Sequence, residues 1–65
     1  MGEVLFEFVQ VGQQMRVAAI DSATGTEVIV VAPVTATRHQ MQTIAMAKLR
    51  RRLAEVEAAP PRRLF

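Results

Sequence analysis

The sequence predicts an α+β fold of the order β-β-β-α, a three-stranded antiparallel meander followed by one C-terminal helix packed on one sheet face. Strand-like runs rich in β-branched and aromatic residues alternate with short glycine-containing segments, the pattern of successive hairpins. After Pro33 the apolar period lengthens from that of a strand to that of a helix, and it does so only once. Two of the strand-like runs also carry large apolar side chains on both faces, although a single helix shields a single face.

The first run, Glu3 to Val11, sets Val4, Phe6 and Phe8 on one side and Leu5, Glu7, Val9 and Val11 on the other. It ends at Val11-Gly12-Gln13-Gln14, where glycine in the first central position suits a two-residue type II′ turn. A second run, Gln14 to Asp21, follows directly. Asp21-Ser22-Ala23-Thr24-Gly25-Thr26 then reads as a hairpin loop, because aspartate bonds the backbone two residues on and Gly25 tolerates a positive φ. The third run, Glu27 to Ala32, is β-branched, and Pro33 ends it.

These loop boundaries place Phe8 opposite Val17 and Phe6 opposite Ala19, with Val17 facing Val30 and Ala19 facing Val28. One face then holds Val4, Phe6, Phe8, Met15, Val17, Ala19, Val28 and Val30, apolar throughout and expected to be the core. The other holds Leu5, Glu7, Val9, Val11, Arg16, Ala18, Ile20, Glu27, Ile29 and Val31. A slip of one residue would mix the two sets, so their separation specifies the register.

The helix is expected from Thr37, which with Gln40 fits the S/T-x-x-E/Q capping box, to about Glu57. Met41, Ala45, Met46, Leu49, Leu53 and Val56 share one arc that can lie on the phenylalanine face, with Ile44 at its flank. The domain is therefore assigned to residues 1–57. Residues 58–65, with Pro60, Pro61, Arg62 and Arg63, are expected to form a mobile tail.

At 65 residues the chain is one small domain, a size that buries only roughly 60% of the surface its unfolded form exposes. Disulfides, a structural metal or oligomerisation usually compensate. With no cysteine and one histidine, His39, the last route is the one expected here. The start lacks a basic leader and carries Glu3 and Glu7, unlike a signal peptide. No run approaches the roughly 18 apolar residues of a membrane span, so a cytoplasmic protein without a membrane partner is expected.

Net charge is +2, distributed unevenly. Glu3, Glu7, Asp21 and Glu27 outweigh Arg16 in the sheet half, whereas bases outweigh Glu55 and Glu57 in the helix half. Catalysis needs a reactive group and a partner that activates it. His39, expected to be exposed beside Arg38, has no such partner, so no enzymatic activity, cofactor, metal or small-molecule substrate is expected. Glu7, Arg16 and Glu27 share the second sheet face, where they read as a charge cluster that keeps the face soluble in preference to an anion site. Gly12 and Gly25 lie between strands and are turn residues, not a phosphate loop.

Lys48, Arg50, Arg51 and Arg52 could contact nucleic acid, since clustered cations displace the counterions condensed on phosphates. Consecutive arginines, however, point roughly 100° apart on a helix, and the chain has no Trp or Tyr to stack on bases. A solvated helix face, with Arg51 near Glu55 and cations favoured toward the C-terminal end, is the preferred reading. Three antiparallel strands and a packed helix resemble the later part of a double-stranded RNA-binding domain, in which basic residues open the final helix. Arg38 and His39 hold that place here, and the first helix of that family has no counterpart.

The segments Gly2-Glu3-Val4-Leu5-Phe6-Glu7-Phe8, Ala19 to Val28 (Ala-Ile-Asp-Ser-Ala-Thr-Gly-Thr-Glu-Val) and Ala47-Lys48-Leu49 resemble a family of short uncharacterised bacterial proteins. The likeness spans most of residues 2–53 and implies a free-standing small domain without an assigned activity. Function is thus expected to reside in the second sheet face. Leu5, Val9, Val11, Ile20, Ile29 and Val31 would form an interface with another copy or another protein, and nucleic-acid binding through the basic helix is the alternative.

Overall fold

A computed structural model describes residues 2–58 and has the order β1 (Val4–Val11), β2 (Gln14–Asp21), β3 (Glu27–Pro33) and α1 (Arg38–Ala58). The three strands form one antiparallel sheet in the order β1-β2-β3, so β2 is central and both neighbours are edges. Helix α1 extends through Ala58, one residue into the segment expected as tail; residues 59–65, with Arg62 and Arg63, lie outside the described residues.

The register matches the expected one, pairing Phe8 with Val17, Phe6 with Ala19, Val17 with Val30 and Ala19 with Val28. Its pins are the two turns. Gly12 has φ 62° and Gly25 has φ 75°, values that a residue with a Cβ adopts only under strain. In the longer loop the Asp21 amide donates to the Thr26 carbonyl at 2.8 Å, and the Gly25 amide donates to the Asp21 carbonyl at 2.7 Å.

After Pro33 the chain stays tied to the first hairpin, as the Val34 amide donates to the Gln13 carbonyl at 3.1 Å. The capping box then closes reciprocally. The Gln40 amide donates to Thr37 Oγ1 at 3.0 Å, and the Thr37 amide donates to Gln40 Oε1 at 2.9 Å. No helix among the described residues is long and apolar enough to cross a membrane.

Helix α1 packs on β2 and β3. The core consists of Val17, Ala19, Val28, Ala32, Met41, Ala45 and Leu49. Alanines on both layers, Ala19 and Ala45, are fully buried, so the helix can approach the sheet closely there. Val4, Phe6 and Phe8 on β1 are only half-buried because the helix axis lies to the far side of them.

Two residues of the expected apolar arc depart from it. Val56 is 61% exposed and Ile44 is 52% exposed. At about 1.5 Å per residue the 21 residues of α1 span about 31 Å. The eight residues of β2, at about 3.3 Å each, span only about 26 Å. Having started at the Pro33 end of the sheet, the helix therefore carries Val56 past the far end. Ile44 instead sits at the outer margin of β3, beside Val31, Pro33 and Ala36, where no further strand covers it.

Leu49 is completely buried, and truncating such a leucine costs about 2–5 kcal/mol. That is comparable with the roughly 3–5 kcal/mol expected of a whole core this size. Leu49→Ala should therefore be largely unfolded at 25 °C by circular dichroism, whereas Ile44→Ala should shift the urea midpoint little.

Candidate functional site

The sheet face away from α1 can be laid out from the pairing. Leu5, Ile20 and Glu27 form one cross-strand row; Glu7, Ala18 and Ile29 form the next; Val9, Arg16 and Val31 form the third. Of these, Leu5 is 50% exposed, Val9 47%, Ile29 39% and Val31 58%, and Val11 at the strand end is 54% exposed. Ile20 is half-buried. All six residues expected at the interface thus occur on one surface, with no element of the described chain over it.

At the centre of the grid stands Ala18, whose short side chain leaves a shallow depression walled by Glu7, Val9, Arg16, Glu27 and Ile29. Glu7 and Arg16 are diagonal neighbours across β1 and β2, close enough for long side chains to meet. The depression is consequently a mixed site, apolar in its floor and charged on its rim. Among the described residues, no group of three His, Cys, Asp or Glu side chains is arranged to hold a metal ion.

The basic residues of α1 are all exposed, but they do not all share one side of the helix. Lys48 reaches over the outer edge of β3, and its Nζ donates to the Ile29 carbonyl at 2.8 Å. Arg50 lies on the other flank, lining a groove with Phe6, His39 and Met46. Arg52, one turn on from Lys48, shares its side of the helix, and Arg51 lies between that side and Arg50. The last turn contains no base, so the cations expected near the C-terminal end stand too far upstream to gain much from the helix dipole.

Sequence reasoning missed two contacts of the basic side chains. The Arg38 guanidinium sits over the Phe8 ring, 4.4 Å from its centroid, a cation–π contact that compensates for a positive charge at the helix N-terminus. Neither this contact nor the reach of Lys48 to a β3 carbonyl has a sequence signal, because both depend on how α1 lies across the sheet.

A third arrangement involves Asp21, a buried acid at 1% exposure. Oδ2 accepts from the Thr24 hydroxyl at 2.8 Å, and Oδ1 accepts from the Gly2 amide at 3.2 Å. A hydroxyl has one proton; with that of Thr24 given to Asp21, the Thr26 hydroxyl 2.9 Å away must donate to Thr24. The Ser22 amide donates to the Glu3 carbonyl at 2.9 Å. Gly2 lies so near this loop that a Cβ there would meet the Ala23 Cβ at 3.0 Å. The Thr24 hydroxyl, foremost, holds the Asp21 carboxyl below its ordinary value; burial opposes it, and the amides of Ala23, Gly2 and Thr24 reinforce it. Every partner is part of the turn or of the chain entering β1, so the arrangement clasps these two segments together.

The chain belongs to the family described as a domain of unknown function (DUF6898), whose model matches residues 1–56. No curated protein and no solved structure matches it. The matched span contains both the open sheet face and the Asp21 clasp.

Because folding lowers the Asp21 pKa, its contribution to stability is present above the unfolded value and disappears as pH falls through the folded one. Urea unfolding should thus show a midpoint that declines as the medium is acidified below about pH 4. Asp21→Asn, which keeps the size but not the charge, should lower the neutral-pH midpoint and flatten that decline.

Proposed function

We propose that this chain is a non-catalytic interaction module that docks a second copy or another protein on the sheet face opposite α1. The observation that carries this reading is the set Leu5, Val9, Val11, Ile29 and Val31, each exposed by 39–58% on one continuous face. Apolar surface gathered in this way marks partner sites more often than it marks plain solvated surface. A small domain without cysteine also has reason to gain stability by association. Glu7, Arg16 and Glu27 keep the unbound face tolerable to water and make it selective, since a partner must match both charge signs.

The alternative, nucleic-acid binding through Lys48, Arg50, Arg51 and Arg52, rests on the exposed cations of α1. The commitment of Lys48 to the Ile29 carbonyl and the placement of Arg50 on the opposite flank weigh against a single phosphate-tracking surface.

Light scattering over a concentration series, together with pull-downs by the immobilised chain, tests the face. Val31→Lys places a charge at a well-exposed position of β3 and should weaken docking of a partner on this face at least tenfold, read as retention in the pull-down, while leaving thermal stability nearly unchanged. A wild-type chain that remains monomeric and retains no protein would end this reading. Titration with duplex and single-stranded RNA and DNA at low salt checks the alternative, for which affinity must fall steeply as salt rises.

A further inference from the structure

The two edges of this sheet are unequally protected. In a two-residue hairpin the residues flanking the turn form a hydrogen-bonded pair, and such pairs then alternate along the ladder. Val11, Val9, Glu7 and Leu5 therefore bond β2, while Gln10, Phe8, Phe6 and Val4 direct their amides and carbonyls outward. Two bonds at β3 obey the same alternation. The Asp21 amide donates inward to Thr26, and the Ile29 carbonyl, facing outward, accepts from Lys48.

The β3 edge thus has a lysine laid across it and a proline at its end, both devices that discourage further strand pairing. The β1 edge has neither. Its eight residues, Val-Leu-Phe-Glu-Phe-Val-Gln-Val, contain no proline or lysine and only one charge, Glu7. Helix α1 lies over β2 and β3 and reaches β1 through side chains such as Arg38 over Phe8, which leaves the hydrogen-bonding edge of β1 without a covering element.

We propose that β1 pairs antiparallel with β1 of a second copy about a two-fold axis at Phe8, doubling the three-stranded sheet into one continuous sheet. The occupant must be a strand apolar on both faces, to match Phe6 and Phe8 on one side and Leu5, Val9 and Val11 on the other. β1 itself is such a strand. Only registers that pair outward residues with outward residues make hydrogen bonds, so the axis falls at Phe6, Glu7, Phe8 or Val9 if the strands overlap well. An axis at Glu7 sets two carboxylates directly opposite each other, which is destabilising. One at Phe6 or at Val9 overlaps fewer residues than one at Phe8. The Phe8 register sets Glu7 against the partner's Val9, Leu5 against the partner's Val11, and Phe6 against the partner's Gln10. It also joins the two open faces at Leu5, Val9 and Val11 into a single larger surface.

Gln10→Pro tests the pairing with little damage to the monomer. The Gln10 amide points away from β2, and proline is compatible with an edge strand where its nitrogen faces solvent. Sedimentation equilibrium should show a wild-type dimer, at least a tenfold weaker one for Gln10→Pro with its circular dichroism spectrum retained, and an unchanged one for Gln10→Ala and Val31→Lys. A wild-type monomer, or a dimer that Gln10→Pro leaves intact, overturns the proposal. A dimer lost with Val31→Lys and kept with Gln10→Pro assigns association to the face instead, so the two readings fail separately. The native chain has no cysteine, so single cysteines report the register directly. Glu7→Cys and Val9→Cys chains, mixed and mildly oxidised, should link to each other faster than either links to itself, because facing residues of such a pair lie about 4.5 Å apart, within disulfide reach. No preference for the mixed product overturns the Phe8 register.

Discussion

Each residue of β2 from Gln14 to Ile20 is clamped between a partner on β1 and one on β3, and the alternation along this central strand decides where everything else can go. Val17 and Ala19 turn toward the helix and are fully buried; Arg16, Ala18 and Ile20 turn away. A shift of one residue would send Phe6, Phe8 and Val28 to the open face and put Glu7 and Glu27 beneath α1. The cost of burying unpaired carboxylates, several kcal/mol each, makes that alternative inaccessible. Gly12 and Gly25 matter for this reason. Their positive φ angles set the turn lengths, and the turn lengths set the ladder.

The clasp at Asp21 extends this control to the start of the chain. Gly2 and the Glu3 carbonyl are held against the loop that joins β2 to β3, so the entry to β1 and that loop form one corner. The sequence resemblance drew on Gly2-Glu3 and on Asp21, Thr24 and Gly25 as separate segments. In the fold they meet at one corner: Gly2 avoids a collision with Ala23, Asp21 accepts from both sides, and Gly25 completes the turn.

Strand order, register, both turns and the helix cap were legible in the sequence, since each has a local cause of short range. The position of the helix was not. A helical wheel gives the angle at which Met41, Ala45 and Leu49 point, but not the sideways offset that places α1 over β2 and β3 and leaves Phe6 and Phe8 half-covered. Nor does it say that α1 outruns the sheet and strands Val56 in solvent. The contacts of Arg38 and Lys48 follow from that offset and were equally hidden. Of the candidate site, the membership of the open face was legible from period-two alternation. The depression over Ala18 needed the pairing on both sides of β2 to become visible.

The offset of α1 has a further consequence for how such a small domain could be stabilised. Had the helix lain centrally, both edges would have been equally overhung and Lys48 would have had no β3 carbonyl within reach. Displaced as it is, α1 serves β3 twice, by packing and by occupying the Ile29 carbonyl, and it leaves β1 with two incompletely covered faces and an outward row of amides and carbonyls. Satisfying those groups with another strand adds hydrogen bonds that solvent already provides, so their net value is modest. The gain from pairing would come mainly from apolar area on Phe6, Phe8, Leu5 and Val9, which solvent does not satisfy. Strand pairing and face docking therefore draw on overlapping side chains, and enlarging the open face through β1 would favour partners that span both copies.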